Sequence, residues 1–153
     1  MASTHSDHPA VAFPERGLPE RIGPPASLSP DQQQAAQELI EGPRGGVYGP
    51  FRPLLHRPSL LRAVGKVGET LRYQGTLEPA LREWTICVVA RDLSNVFEWD
   101  MHRPLAAAAG VPVAALDALE AHRPLPDGTS GALVLAQQVA REIIGQHRLG
   151  DET

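Results

Sequence analysis

Proline and glycine constrain this chain more than any other feature. Fifteen prolines and fourteen glycines stand in 153 residues, many of them gathered at 42–58, 75–79, 104–112 and 124–128. The stretches between them are of helical length and carry apolar residues three and four apart, not the short alternating runs of strands. The one segment that would pass for a strand, Thr85-Ile-Cys-Val-Val89, lies inside a longer run flanked like a helix. An all-α chain is expected. Pro9, Pro14, Pro19, Pro24 and Pro25 forbid a helix over 1–28, which reads as a flexible Pro-rich arm ahead of one helical domain at 29–150.

Six helices follow from the punctuation. Ser29 is a good N-cap, with Pro30 at the first helical position and Gln32 completing a capping box, and this helix stops at Gly42-Pro43. Residues 43–58 form a long irregular connection that Phe51, Leu54 and Leu55 pin to the core. A second helix begins at Pro58 or Ser59 and ends near Gly75, with Leu60, Leu61, Val64, Val67 and Leu71 as its apolar face and Gly65 and Gly68 for close packing. A third, opened by Pro79, covers Leu81 to about Leu93, and a fourth runs from Asn95 to Ala109, where Pro104 is expected to kink or split it. A fifth extends from Pro112 through Leu119, and a last one from about Ser130 to His147. Trp84 and Trp99 are expected as core or interface anchors.

Composition removes several function classes. A net charge of -4 without a basic stripe argues against nucleic-acid binding. The apolar run Ile86–Ala90 is far short of the roughly 20 residues of a membrane span, and no apolar h-region marks a secretory signal. Cys87 is the only cysteine, so no intramolecular disulfide forms and the chain reads as cytoplasmic. No pair among the six histidines has zinc-ligand spacing, and no metal is expected.

Asn95, Glu98 and His102 stand at i, i+3 and i+7 and share one face of the fourth helix, where Glu98 and His102 can hydrogen-bond. A carboxylate in that contact favours the charged imidazole and fixes its ring. Glu83, on the preceding helix, reaches the same spot if the two helices pack antiparallel. Two carboxylates and an imidazole in an apolar setting suit proton transfer beside a carbonyl. Tyr73 and Arg91 are further substrate-binding candidates as anion holders, and His56 as a residue at a pocket entrance. The blander reading is a Glu–His surface pair worth a few tenths of a kcal/mol, with Cys87 as a small buried hydrophobe.

The segment Arg82-Glu-Trp-Thr-Ile-Cys-Val-Val-Ala-Arg91, followed by Phe97-Glu-Trp-Asp-Met-His102, resembles the core of the carboxymuconolactone decarboxylase / alkyl hydroperoxidase D-like (AhpD-like) superfamily. Gly49-Pro-Phe51, His56-Arg-Pro-Ser-Leu60, Pro104-Leu105 and Ala109-Gly110 agree with it. The resemblance implies an AhpD-like helical bundle, a homo-oligomer (trimer or hexamer), and a site near subunit interfaces. In the hydroperoxidase branch a glutamate precedes a Cys-x-x-Cys-x-x-x-His stretch. Here Glu83 and His102 take the glutamate and histidine places, while Asn95 and Glu98 stand where the two cysteines would be. Thiol chemistry of that type needs both cysteines.

The decarboxylase branch works on a lactone acid without a metal or organic cofactor. By resemblance, His102 is the proton donor and acceptor, Glu83 and Glu98 tune or relay protons, and Asn95 holds a substrate oxygen. The expected function is therefore cofactor-free lyase chemistry on a small lactone or carboxylic acid. A Cys87-dependent antioxidant and a non-catalytic oligomeric binding or scaffold protein are the alternatives. Many chains of that kind continue with a further apolar helix beyond the counterpart of Ala132–His147, so either a naturally short form is expected here, or a neighbouring subunit or separate polypeptide that fills the place.

Overall fold

The structure, a computed structural model, describes residues 20–151. Among these residues all regular structure is helical. Most of the expected N-terminal arm, residues 1–19 with His5 and His8, lies outside the described residues. The chain divides into two compact units, whose described parts are residues 20–76 and 77–151.

The first unit contains α1 (Pro30–Glu41), α2 (Phe51–Leu54) and α3 (Pro58–Glu69), the last continuing into a π-helical turn over Thr70–Gln74. The capping box forms: the Ser29 N–H donates to Gln32 Oε1 at 2.8 Å, and the Gln32 N–H donates to Ser29 Oγ at 3.4 Å. α2 is the one helix beyond the six expected. Four residues carry no periodicity to announce it, but Phe51 and Leu55 are buried as foreseen. They join Ala35, Ala36, Leu39 and Leu61 in a small core. Gly65 faces that core, where a Cβ would stand 3.1 Å from Leu39 Cδ1.

The apolar face expected on α3 needs correction. Leu61 is buried, whereas Leu60, Val64, Val67 and Leu71 are all exposed. Within this unit α1 and α2 pack on the side of α3 that carries Leu61 and Gly65, and they cover no more of it. Apolar periodicity announces an amphipathic helix without saying how wide a strip its neighbours will cover.

The second unit contains α4 (Pro79–Asp92), α5 (Val96–Ala108), α6 (Val113–Glu120) and α7 (Gly131–Gln146). α4 packs chiefly against α5 and α7. Trp84, Cys87, Val88, Trp99, Leu116 and Leu119 are fully buried between them. The indole N–H of Trp84 donates to the Leu133 carbonyl at 2.8 Å, which satisfies its polar atom inside the core. α5 runs unbroken through Pro104, so the expected split does not occur.

Three successive helices in this unit end alike. At the close of α4 the Asn95 N–H donates to the Ala90 carbonyl (2.7 Å) and the Ser94 N–H to the Arg91 carbonyl (3.1 Å). α5 repeats the pattern through Val111 and Gly110, and α6 through Arg123 and His122. These are Schellman endings, which place one residue in the left-handed region. Ser94 (φ 55°), Gly110 (φ 99°) and His122 (φ 50°) hold those places. Only Gly110 is the residue that the conformation favours.

Candidate functional site

The site begins with the α4–α5 corner. Asn95 closes the Schellman ending of α4 and is at the same time the N-cap of α5, its Oδ1 accepting the Glu98 N–H at 3.2 Å. One residue therefore ends one helix and starts the next. The chain doubles back at once, and the inward face of α4 (Glu83, Trp84, Cys87, Val88) meets the inward face of α5 (Trp99, His102, Ala106).

Glu83 and His102 meet in that seam. His102 Nδ1 lies 2.6 Å from Glu83 Oε2, and the two side chains are 9% and 4% exposed. The other carboxylate oxygen of Glu83 receives Arg82 Nε at 3.3 Å. On the far side of the imidazole, His102 Nε2 lies 3.3 Å from Oε2 of Glu98, one helical turn back along α5. Glu98 is only part-buried, with 32% of its side chain exposed. The result is a line of three groups, carboxylate–imidazole–carboxylate, buried at Glu83 and opening outward at Glu98.

What it opens onto is a cleft of about 240 Å³ lined by Thr85, Ile86, Val89, Ala90, Leu93, Asn95 and Glu98. The α4 members follow one another at helical spacing along the face beside the seam. Thr85 turns its hydroxyl hydrogen back to the Leu81 carbonyl at 2.8 Å. The run Thr85–Val89 reads in sequence as the middle of a buried helix, but Val89, and Leu93 one turn on, are exposed. The missed signal was Thr85, Val89 and Leu93 one turn apart, a strip no more apolar than the core strip beside it.

Of the other residues singled out in sequence, Asn95 stands at the cleft with its amide NH₂ able to donate, since its oxygen serves the helix cap. Arg91 is turned towards α6: it is buried, and its Nε donates to the Glu120 carbonyl at 2.7 Å, at the helix end that attracts a cation. Burial lowers the Arg91 pKa, with the charges of Asp92 and Glu120 acting in opposition. Arg103 also turns to α6, with Nη2 2.6 Å from Asp117.

His56 and Tyr73 belong to the 20–76 unit. The exposed His56 ring approaches the Gly23 carbonyl at 3.0 Å. Tyr73, in the π turn, borders a cleft of about 270 Å³. The charged groups there are engaged locally: Arg62 bridges Asp31 and Glu38, Lys66 meets Glu69, and Arg44 stacks 4.1 Å over Phe51.

Cys87 lies one turn beyond Glu83, fully buried. Burial, and then the nearby Glu83 charge, push its thiol up to about 12, against a smaller lowering by Arg103. Among the described residues no cluster of three His, Cys, Asp or Glu side chains is arranged to hold a metal ion, and no helix is long and apolar enough to cross a membrane. Comparison with family models, with curated proteins and with solved structures gives no match to this chain.

Proposed function

We propose that this protein is a carboxymuconolactone decarboxylase-like lyase, carrying out cofactor-free acid–base chemistry on a small lactone or carboxylic acid at the Glu83–His102–Glu98 line. The observation that carries this reading is the placement of His102 between a sealed carboxylate at 2.6 Å and a cleft-lining carboxylate at 3.3 Å. Such an imidazole is held in one orientation and stands close enough to Glu98 for proton exchange.

Two reactions fit that arrangement. In isomerisation or exchange, the C–H bond beside a substrate carbonyl breaks, its electron pair moves onto the carbonyl as an enolate, and the proton passes to Glu98 or His102. In decarboxylation, the C–C bond to the carboxylate breaks, carbon dioxide leaves, and the same kind of enolate takes its proton from His102. In both, the role of holding the carbonyl oxygen falls to the Asn95 amide, which lines the cleft. Positioned proton transfer of this sort contributes on the order of 10²–10⁴ in rate.

The test is incubation with small lactones and β-keto acids in deuterated water, followed by mass spectrometry. Carbon dioxide loss or deuterium uptake by the wild type, reduced by two orders of magnitude or more in His102→Gln and in Glu98→Gln, is the expected result. Equal turnover by all three proteins removes the proposal.

A thiol-dependent antioxidant reading finds a sealed, protonated Cys87 in its way. The non-catalytic oligomer is a second reading favoured by one observation, the exposed row Leu60, Val64, Val67 and Leu71 on one side of α3 and its π turn. Light scattering on wild type and Val64→Lys/Val67→Lys tests the oligomer: a monomeric wild type removes that reading, and a multimer that the double variant dissolves supports it when the wild type is also silent in the exchange assay.

A further inference from the structure

We infer that the cleft beside Glu98 selects an uncharged, largely aliphatic or aromatic small molecule with a carbonyl group, and rejects the corresponding carboxylate. The inference rests on the acid–base reading above and narrows it: the substrate becomes the neutral partner of each pair, and of the two reactions proton transfer beside a carbonyl is kept and decarboxylation is set aside.

Size comes first. A cleft of about 240 Å³ holds the volume of about eight water molecules, which suits a small molecule and not a peptide segment. Its walls are aliphatic at Ile86, Val89, Ala90 and Leu93, and its three polar members have distinct chemistries. Glu98 brings a carboxylate. Thr85, with its hydrogen committed to the Leu81 carbonyl, offers oxygen lone pairs. Asn95, with its oxygen committed to the helix cap, offers an N–H donor. That is a seat for one carbonyl oxygen, beside a base.

An anion finds no corresponding welcome. Among the described residues, the only charged side chain in the lining is Glu98. The neighbouring cations are turned elsewhere: Arg91 to the Glu120 carbonyl, Arg103 to Asp117, Arg82 to Glu83. The N-terminus of α5 would attract a negative group, but Glu98 in its first turn already supplies one. A carboxylate ligand would therefore meet like charge in an apolar setting and find one donor where it needs several.

The experiment measures binding of matched pairs by ligand-observed NMR: γ-valerolactone against its ring-opened hydroxy acid, and methyl phenylacetate against phenylacetate. Wild type, Glu98→Gln and Val89→Trp are compared. The neutral member is expected to bind at least tenfold more tightly than the acid, Glu98→Gln to narrow that ratio, and Val89→Trp, with helical content unchanged, to lose binding by filling the cleft. Acids binding as well as their neutral partners, no binding by either, or binding undisturbed by Val89→Trp overturns the inference. Deuterium exchange into the same probes separates the two claims. Selective binding without exchange leaves the ligand class and removes the acid–base reading, while exchange into the acids does the reverse.

Discussion

His102 and Glu83 share a contact of 2.6 Å across the α4–α5 seam, with neither side chain more than 9% exposed. A carboxylate so covered depends on its partner, because removing one member of a buried pair strands the other. His102→Ala should therefore cost about 3 kcal/mol of stability, and adding Glu83→Gln should restore at least about 1 kcal/mol of it. Urea denaturation of the two single variants and the double variant measures the coupling. Simple additivity would falsify the idea that the pair acts as a unit. It also follows that activity tests are cleaner in His102→Gln than in His102→Ala.

The buried thiol gives a pH prediction. In the unfolded chain Cys87 titrates near 9, and in the folded chain near 12. Between those values the unfolded state has lost the proton that the folded state keeps, so stability falls as pH rises through this window. Cys87→Ala should flatten that part of the stability curve, apart from a constant offset. At pH 8 an aromatic disulfide reagent should label the native protein slowly and the urea-unfolded protein at once. Prompt labelling of the native protein would show that the thiol is accessible after all.

The helix endings predict opposite effects for two substitutions. Ser94 occupies a left-handed conformation that costs a non-glycine residue about 1–2 kcal/mol. Ser94→Gly relieves that, less the extra chain entropy of glycine, for a net gain of about 0.5–1 kcal/mol. Gly110 sits at φ 99° with nothing within 4 Å of an added Cβ, so Gly110→Ala is strained by its backbone alone and should lose about 1 kcal/mol or more. Melting temperatures moving in the same direction for both variants contradict this account.

Trp84→Phe keeps most of the buried ring but removes the N–H that reaches the Leu133 carbonyl at 2.8 Å. A loss of about 1–3 kcal/mol is expected from the broken bond and the small space left. Because the bond ties α4 to α7, exchange of α7 amides should quicken more than that of α6 amides. Uniform quickening would place the tie elsewhere.

Much of the local structure was legible because single residues announce it. Ser29 with Gln32, and Pro79 at a helix start, act within one turn and need no tertiary partner. The meeting of Glu83 and Glu98 on His102 was also within reach, since Glu98 and His102 are four apart and one tight corner brings Glu83 alongside. The cleft was not legible, because Val89 and Leu93 look the same in sequence whether a neighbouring helix covers them or solvent does. The double use of Asn95 was hidden for a different reason. An end near Leu93 is expected from sequence, but the Schellman ending of α4 carries Ser94 in place of the usual glycine, so nothing marked the form of the corner that joins α4 to α5.

That shared residue sets the angular phase of everything downstream. A residue inserted between Ser94 and Asn95 would advance α5 by about 100° about its axis without altering its composition, its length or its ability to form. Trp99 and His102 would rotate off the seam together, so the packing and the carboxylate–imidazole–carboxylate line are written in the same register. The shortest connection in this unit is thus a clock setting, and any natural insertion there is expected to come with a rewritten α5 rather than a longer loop.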